Sequence, residues 1–280
     1  MGRIEDIKTV GKRPLKTKDT RVSYFTGDYI EEALTHKIRF VSSSKAGVIH
    51  ASSIGDGPRL LVLRYKGLFQ EQTEYQNIKY MEAGTASHEL FQKRLQKAGL
   101  LIAAEISVPT HPDFDLRGRL DFVVRGPEGL DEPILIEYKT TGSKNFSRLS
   151  LPEPSHVSQW STYAERKDFH YGLIIYESRD ELVSKYFPVV RSGNDISLFG
   201  DDGHHKIDHP GYLSQLYDKV RFVVWCSNIG KFPKNKCLEC VKWGCKQPKL
   251  CLEMETEKEL VTIEDWKKLR KIWENKVKMR

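Results

Sequence analysis

Hydrophobic side chains recur along this chain at two periods, one typical of helices and the other of strands. Helical spacing is clearest over residues 78–98, where Met81, His88, Phe91 and Leu95 fall on one stripe. The same spacing predicts further helices: one capped by Ser52 or Ser53 and running through Leu63, then 154–167, 210–228, and one that begins near Thr262. A short amphipathic segment is also expected over residues 27–40.

Strand-like alternation or short apolar runs occupy the middle of the chain. They predict strands at 101–108, 116–124, 133–140, 171–178 and 182–190, separated by turns rich in Pro and Gly. The resulting order is helices, a mostly antiparallel sheet with one helix inserted, and helices again, which indicates an α/β fold. We divide the chain into a basic, helical N-terminal portion (1–77), a core (78–200) and a C-terminal helical portion (201–280).

Charge changes this picture mainly at the two ends. The chain has 280 residues and a net charge of +7, and residues 1–22 and 267–280 carry seven basic groups each. Such basic ends could bind along a polyanion, and they are equally typical of solvated termini. No apolar stretch is long enough for a membrane span, and the N-terminus lacks a secretory signal, so we expect a cytoplasmic protein with no membrane partner. A virus-encoded origin fits as well.

The cysteines cluster near the C-terminus. The first 225 residues contain none, and the next 26 contain Cys226, Cys237, Cys240, Cys245 and Cys251. In a reducing compartment, C-x2-C-x4-C-x5-C is more typical of thiolates around a metal than of disulfides. Four thiolates suit a zinc ion or an iron–sulfur cluster, and the spacing alone does not separate the two.

Three charged residues interrupt the apolar strands of the predicted sheet. Glu137 and Lys139 are two apart and therefore share a face, and Asp121 can join them from the preceding strand. Two carboxylates and an ammonium among apolar residues are costly to bury without a cation or phosphate nearby. The pattern is compatible with metal-assisted phosphodiester hydrolysis, and also with a cross-strand salt bridge.

Several motifs and their order resemble the RecB-like branch of the PD-(D/E)XK nucleases. The resemblance covers residues 50–245 and rests on GTASHE (84–89), GRLDFVV (118–124), LIEYKTTG (135–142) and QWSTY (159–163). CRISPR-adaptation nucleases and phage exonucleases are similar in the same way. The resemblance implies a restriction-endonuclease-like core, a central mixed sheet flanked by helices, followed by a C-terminal cysteine–metal segment.

The resemblance also implies a role for each matched residue. His88, Asp121 and Glu137 would be ligands of a catalytic Mg²⁺ or Mn²⁺, the main-chain carbonyl of Tyr138 a further ligand, and Lys139 the catalytic lysine. A lone His on an apolar helix face is more often a core residue, so only its order among the other motifs makes His88 a candidate.

The glutamine–tyrosine motif lies on the helix predicted over 154–167. Gln159 and Tyr163 are four residues apart and share a face, which could contact DNA or brace Lys139. One departure from the resemblance is small: Leu120 stands where the family pattern has proline.

The cysteines depart from the resemblance more seriously. Many relatives hold a four-iron four-sulfur cluster with one cysteine upstream of the histidine motif, where this chain has Gly57. Cys226 or Cys251 could supply the fourth cluster ligand, or Cys237 to Cys251 could form a self-contained zinc site. Zinc is slightly favoured, and both metals stay open.

Together these patterns predict a metal-dependent DNA nuclease, and exonuclease action is favoured. The expected partner is DNA that is single-stranded or has free ends, with recombination or replication proteins as candidate protein partners. Two alternatives stay open: a structure- or site-specific endonuclease, and a non-catalytic DNA-binding or assembly module.

Overall fold

The secondary structure comes from a computed structural model, which describes residues 40–73, 75–234 and 248–278. The strands are β1 (Phe40–Ser43), β2 (Val48–His50), β3 (Gln70–Thr73), β4 (Leu101–Ser107), β5 (Asp115–Arg117), β6 (Arg119–Val124), β7 (Ile134–Thr141), β8 (Tyr171–Ser178), β9 (Ser184–Ser192), β10 (Asp195–Phe199), β11 (Lys206–His209), β12 (Phe232–Pro233) and β13 (Leu260–Val261). The α-helices are α1 (Pro58–Tyr65), α2 (Tyr75–Lys97), α3 (Ser143–Phe146), α4 (Pro154–Arg166), α5 (Tyr212–Asn228), α6 (Pro248–Glu257) and α7 (Ile263–Lys278).

A mixed sheet with helices on both faces forms the centre of the fold. Its strand order is β11-β10-β9-β8-β7-β6-β4. Neighbouring strands are antiparallel except β7 and β8, which run parallel because α4 lies between them in sequence and carries the chain back. The predicted α/β architecture, a mostly antiparallel sheet with one inserted helix, is therefore confirmed.

Most predicted elements lie within three residues of their expected bounds, and one helix start was wrong. We expected Ser52 or Ser53 to cap the first helix, but α1 begins at Pro58 with Gly57 as its N-cap. Proline suits the first helical position because it has no N–H to leave unpaired. Ser53 instead ends a short 3-10 turn, and its hydroxyl donates to the carbonyl of His50.

The strand predicted over 116–124 is divided at Gly118 into β5 and β6. A Cβ atom there would lie 2.8 Å from both the Ala51 side chain and the Tyr163 ring, so only glycine fits. The division lets β5 pair with β2 while β6 joins the main sheet. Strands β10 and β11 were not predicted, because DISLF and KIDH are only five and four residues long.

The two faces of the sheet pack against different helices. On one face, Leu120, Leu135 and Ile174 pack with Trp160 of α4 in the largest hydrophobic core. On the other face, Leu95 of α2 packs in a smaller core with residues of β6, β7 and β8. The strand ends between α2 and α4 are thus enclosed from both sides.

A separate core joins α1 to the C-terminal portion. Leu61 and Leu63 of α1 pack with Phe222 and Cys226 of α5 and with Trp266 of α7. The division into 1–77, 78–200 and 201–280 stays a prediction. No described helix combines the length and the apolar character that a membrane crossing requires.

Helix α7 starts where the sequence indicated. The hydroxyl of Thr262 accepts a hydrogen bond from the Asp265 N–H, and the Asp265 carboxylate accepts one from the Thr262 N–H. This is the reciprocal capping arrangement expected at a helix start. Trp266 docks against Phe222 of α5, while the neighbouring Leu269 remains exposed.

One buried arginine holds this C-terminal region together. Arg59 of α1 is only 1% exposed, and its guanidinium donates to the carbonyls of Pro233 and Lys234 and to the Glu255 carboxylate. It also lies 3.7 Å from the Cys251 sulfur. A single side chain therefore connects the chain before residue 235 to the chain after residue 247.

We expect Arg59→Met to lower the free energy of unfolding by about 3–5 kcal/mol, because buried carbonyls and a carboxylate lose a charged donor. Urea denaturation measures this. The exposed Arg148→Met serves as the control and should change stability by less than about 0.5 kcal/mol. Equal stability of the two variants would contradict the structural role of Arg59.

Candidate active site

The predicted site residues lie where two neighbouring strands separate. Strands β6 and β7 pair from Val124–Ile134 to Phe122–Ile136 and no further. Beyond that point β6 continues along β4, and β7 continues along β8. Asp121 and Glu137 are the first residues past the separation, one on each strand.

Asp121 replaces part of the missing strand pairing. Its carboxylate accepts a 2.8 Å hydrogen bond from the main-chain N–H of Tyr138. The side chain thus satisfies a backbone donor that the ladder leaves unpaired. The predicted ligation through the Tyr138 carbonyl stays a prediction.

His88 reaches this point from helix α2. Its Nε2 lies 3.3 Å from Asp121 Oδ2, and its ring packs against Phe122 with centroids 4.5 Å apart. The helix approaches the sheet closely at Gly84, one turn earlier, where an added Cβ would lie 3.2 Å from the Thr140 hydroxyl. The glycine and histidine of the GTASHE motif therefore act together, because the first allows the approach that places the second.

Glu105 of β4 also belongs to the site, and sequence reasoning missed it. By register it lies opposite Asp121, and its Oε1 lies 3.7 Å from His88 Nδ1. Its backbone has φ of 56°, in the left-handed region that non-glycine residues rarely adopt. The available sequence signal was Glu105 itself, a charged residue within the apolar strand LIAAEISV. A glutamate on the solvated face of a strand was the simpler interpretation of that signal.

Glu137 is the most deeply buried charge-bearing group of the site. Its side chain is 0% exposed, and it lies 2.6 Å from Lys139 Nζ. Neither carboxylate oxygen makes a hydrogen bond of acceptable geometry with a described residue, so this contact is an ion pair by distance alone. Burial raises the pKa of Glu137 to about 8, and the negative charge of Asp121 adds to that effect while Lys139 opposes it.

Lys139 shares a face with Glu137 and extends to the open edge of the site. Burial acts to lower the pKa of Lys139, but the carboxylates of Glu137 and Asp121 outweigh it and raise the pKa. The ammonium therefore remains charged. Its side chain is one quarter exposed, so it can contact a bound molecule from this position.

Gln159 and Tyr163 lie behind Lys139 and away from solvent. Gln159 accepts a hydrogen bond from Lys139 Nζ at 3.3 Å and donates one to the Tyr163 hydroxyl at 3.1 Å. Both residues are buried. Of the two predicted roles, the geometry supports bracing of Lys139, and DNA contact by these side chains stays a prediction without support from their placement.

His156, one turn before Gln159, is a second residue that the sequence did not single out. The Glu153 N–H donates to the Tyr176 hydroxyl, which lies 2.7 Å from His156 Nδ1. Burial, with a smaller contribution from the positive Lys139, lowers the pKa of His156 to about 3. The imidazole is therefore neutral, and its Nδ1 accepts a hydrogen bond from the Tyr176 hydroxyl.

The side chains at the strand separation fit a hard divalent cation. His88, Glu105 and Asp121 each offer one ligand atom, and these atoms lie within 4.8 Å of one another. Carboxylate oxygens with one imidazole are a donor set suited to Mg²⁺ or Mn²⁺. Glu137, a buried carboxylate without a hydrogen bond, lies next to Asp121 as a further donor.

The cysteine segment is described only in part. Cys226 and Cys251 are buried free thiols in the core shared by α1, α5 and the C-terminal portion. Burial raises the pKa of Cys226 to about 12, which disfavours a thiolate there. Cys237, Cys240 and Cys245 lie outside the described residues, so zinc and iron–sulfur ligation both stay predictions.

Comparisons with known proteins do not identify a family. No family model matches the chain, and no curated protein matches it. Among solved structures, the crystal structure of SSO0001 is similar over 83% of this chain and 96% of that chain, at 16% identity and a TM-score of 0.42. An identity and a TM-score this low do not assign a fold family or an activity to this chain.

The burial of Glu137 predicts a pH-dependent effect of Glu137→Gln in metal-free protein. Between pH 4.5 and 8 the folded chain keeps the Glu137 proton while the unfolded chain loses it, so the stability of the wild type falls as pH rises through this range. The stability advantage of the Gln variant should therefore grow with pH, by at most about 1.4 kcal/mol per pH unit between pH 5 and 8. Urea denaturation in EDTA measures it. The exposed Glu128→Gln should show no such trend, and a trend absent from both variants would contradict the burial argument.

The cation site predicts that Glu105→Gln weakens Mn²⁺ binding by roughly 10- to 100-fold, because a charged donor becomes neutral. Isothermal titration calorimetry without any substrate measures the affinity. Glu89→Gln is the matched control, since Glu89 lines the same cleft but lies outside the cluster. Equal affinities of the two variants would exclude Glu105 as a ligand.

Proposed function

We propose that this chain is a metal-dependent DNA nuclease of the RecB-like PD-(D/E)XK kind. It would hydrolyse phosphodiester bonds, and exonuclease action on DNA with free ends is the form we favour. The proposal rests on the residues of the site, and on the sequence motifs that they belong to.

The observation that carries the proposal is the convergence of four motifs that are distant in sequence. His88 from GTASHE, Asp121 from GRLDFVV, and Glu137 and Lys139 from LIEYKTTG meet at the separation of β6 and β7, and Gln159 from QWSTY contacts Lys139. A cross-strand salt bridge explains only the Glu137–Lys139 contact. It does not explain why a histidine and two further carboxylates gather at the same point.

The residues of the chain can share the work of phosphodiester hydrolysis. A bound Mg²⁺ or Mn²⁺ supplies Lewis acidity and lowers the pKa of a coordinated water. His88, Asp121, Glu105 and Glu137 would hold it. Lys139 keeps a positive charge at the open edge of the site, where it can donate a hydrogen bond to a phosphoryl oxygen as negative charge develops.

The buried polar residues behind Lys139 add to its effectiveness. Gln159 fixes the ammonium from one side and is itself fixed by Tyr163. A side chain held in place before the substrate arrives loses less freedom on binding, and its charge is better aligned with the reacting group. This arrangement favours a catalytic role over a DNA-binding or assembly module without chemistry.

We expect Asp121→Asn and Lys139→Met to lower the rate of DNA cleavage by at least about 10²-fold, since each removes a charge from the reacting centre. The assay follows end-labelled single-stranded and duplex DNA with Mn²⁺ and with EDTA. Asp131→Asn, in the turn that joins β6 to β7, and the exposed Lys97→Met are matched controls and should cleave like wild type.

Product sizes from the same assay separate the two enzymatic alternatives. Stepwise shortening from an end indicates an exonuclease, and internal products from a circular substrate indicate an endonuclease. Binding without cleavage by the wild-type protein, under Mg²⁺ or Mn²⁺, would overturn the proposal in favour of a binding module.

A further inference from the structure

A cleft opens beside the candidate active site, between α2 and the ends of the strands. Its volume is about 810 Å³, within the range typical of small-ligand sites. The following residues line it: Tyr80, Met81, Gly84, Thr85, His88, Glu89, Gln92, Glu105, Arg119, Tyr138, Lys139, Thr140 and Arg179. The cleft thus connects His88 and Lys139 to a group of residues that the nuclease proposal leaves without a role.

Two of these residues form a stacked pair. Tyr80 lies near the start of α2, Arg179 directly follows β8, and the guanidinium carbon lies 4.3 Å from the centre of the Tyr80 ring. Such a contact aligns a flat cation on an aromatic face. Because one partner belongs to the helix and the other to the sheet, the pair bridges the two walls of the cleft.

Arg179 differs from Arg119, the other arginine of the cleft, because no carboxylate among the described residues lies within ion-pair distance of it. Arg119 is paired with Glu105, at 2.5 Å. Among the residues described, no ion pair or side-chain hydrogen bond engages the Arg179 guanidinium, whose N–H groups therefore remain for a ligand. Tyr80 is 44% exposed and the adjacent Met81 57%, so apolar surface and free cationic donors lie side by side.

An exposed aromatic ring beside a guanidinium with free N–H groups suits an unpaired nucleotide better than a base pair. Bases stack on aromatic rings and on guanidinium planes, and the guanidinium edge can bond phosphate oxygens. In a duplex the faces of the bases are already stacked on one another and are closed to such contacts.

Building on the proposed nuclease function, we propose that Arg179 stacked on Tyr80 binds an unpaired nucleotide of the strand to be cleaved. The substrate class of the site is then single-stranded DNA, including the unpaired ends of duplexes. Neither residue belongs to a motif of the resemblance.

The test measures binding of a labelled single-stranded DNA and of its blunt duplex in EDTA, by fluorescence anisotropy, so that cleavage plays no part. Tyr80→Ala should weaken single-strand binding by roughly 5- to 150-fold, the usual range for loss of one base-stacking contact. Arg179→Ala should also lower the salt slope by about 0.7, the share of one phosphate contact. Arg179→Lys should keep the slope but lose affinity, because charge remains and the planar face does not.

Arg125→Ala is the matched control, since it removes an exposed arginine at the opposite end of β6 and should bind like wild type. Combining Tyr80→Ala with Arg179→Ala should cost less than the sum of the single changes, because the two residues act as a unit. Blunt-duplex binding should change little in every variant.

Several outcomes would overturn the inference. If wild type cleaves DNA with Mn²⁺ while Tyr80→Ala and Arg179→Ala bind single strands normally, the inference fails and the nuclease proposal stands. Equal losses on single-stranded and duplex DNA would exclude selectivity for unpaired nucleotides. Tighter binding of the matching RNA would exclude DNA as the preferred ligand, and a wild-type protein that neither binds nor cleaves DNA would refute both proposals.

Discussion

The separation of β6 from β7 is the constraint on which the candidate site depends. Wherever two strands stop pairing, main-chain groups lose their partners and must find others. Here the Asp121 carboxylate accepts the Tyr138 N–H, so the side chain that holds the strands apart also brings negative charge to the gap. Helix α2 can then bring His88 to the same place, and Lys139 balances part of the charge. The cluster of charged side chains thus forms where the pairing of β6 and β7 ends.

At the separation of β6 and β7, positive side chains do not fully balance the carboxylates unless a ligand binds there. Glu137 is buried and makes no hydrogen bond with any residue that the structure describes, and Glu105 holds an unusual backbone conformation beside Asp121. Each feature costs folding free energy, and no core-packing requirement explains either. Proteins commonly retain such costs at functional sites, where a ligand supplies the missing interaction. A divalent cation and a phosphate would together complete the charges that the chain leaves incomplete.

The sequence predicted the strands and helices that carry strong periodic patterns, and it placed His88, Asp121, Glu137 and Lys139 in one site. The strands are confirmed where the alternation is strong, because alternation along a strand determines which side chains share a face. The roles of His88, Asp121, Glu137 and Lys139 come from the resemblance and stay predictions. Glu105 could not be found in this way. Its place in the site depends on the pairing register of β4 and β6 and on its positive φ angle. A local sequence pattern predicts neither of these. The Tyr80–Arg179 pair was equally inaccessible, because 99 positions separate its members in sequence.

The position of Arg59 has a consequence for the thirteen residues from 235 to 247. By binding the carbonyls of Pro233 and Lys234 together with the side chain of Glu255, it ties the described residues before that segment to the helix after it. Closing a loop costs chain entropy, and that cost is met when the body of the protein folds. If a metal binds the cysteines, its affinity should accordingly depend on Arg59, which lies 3.7 Å from the Cys251 sulfur.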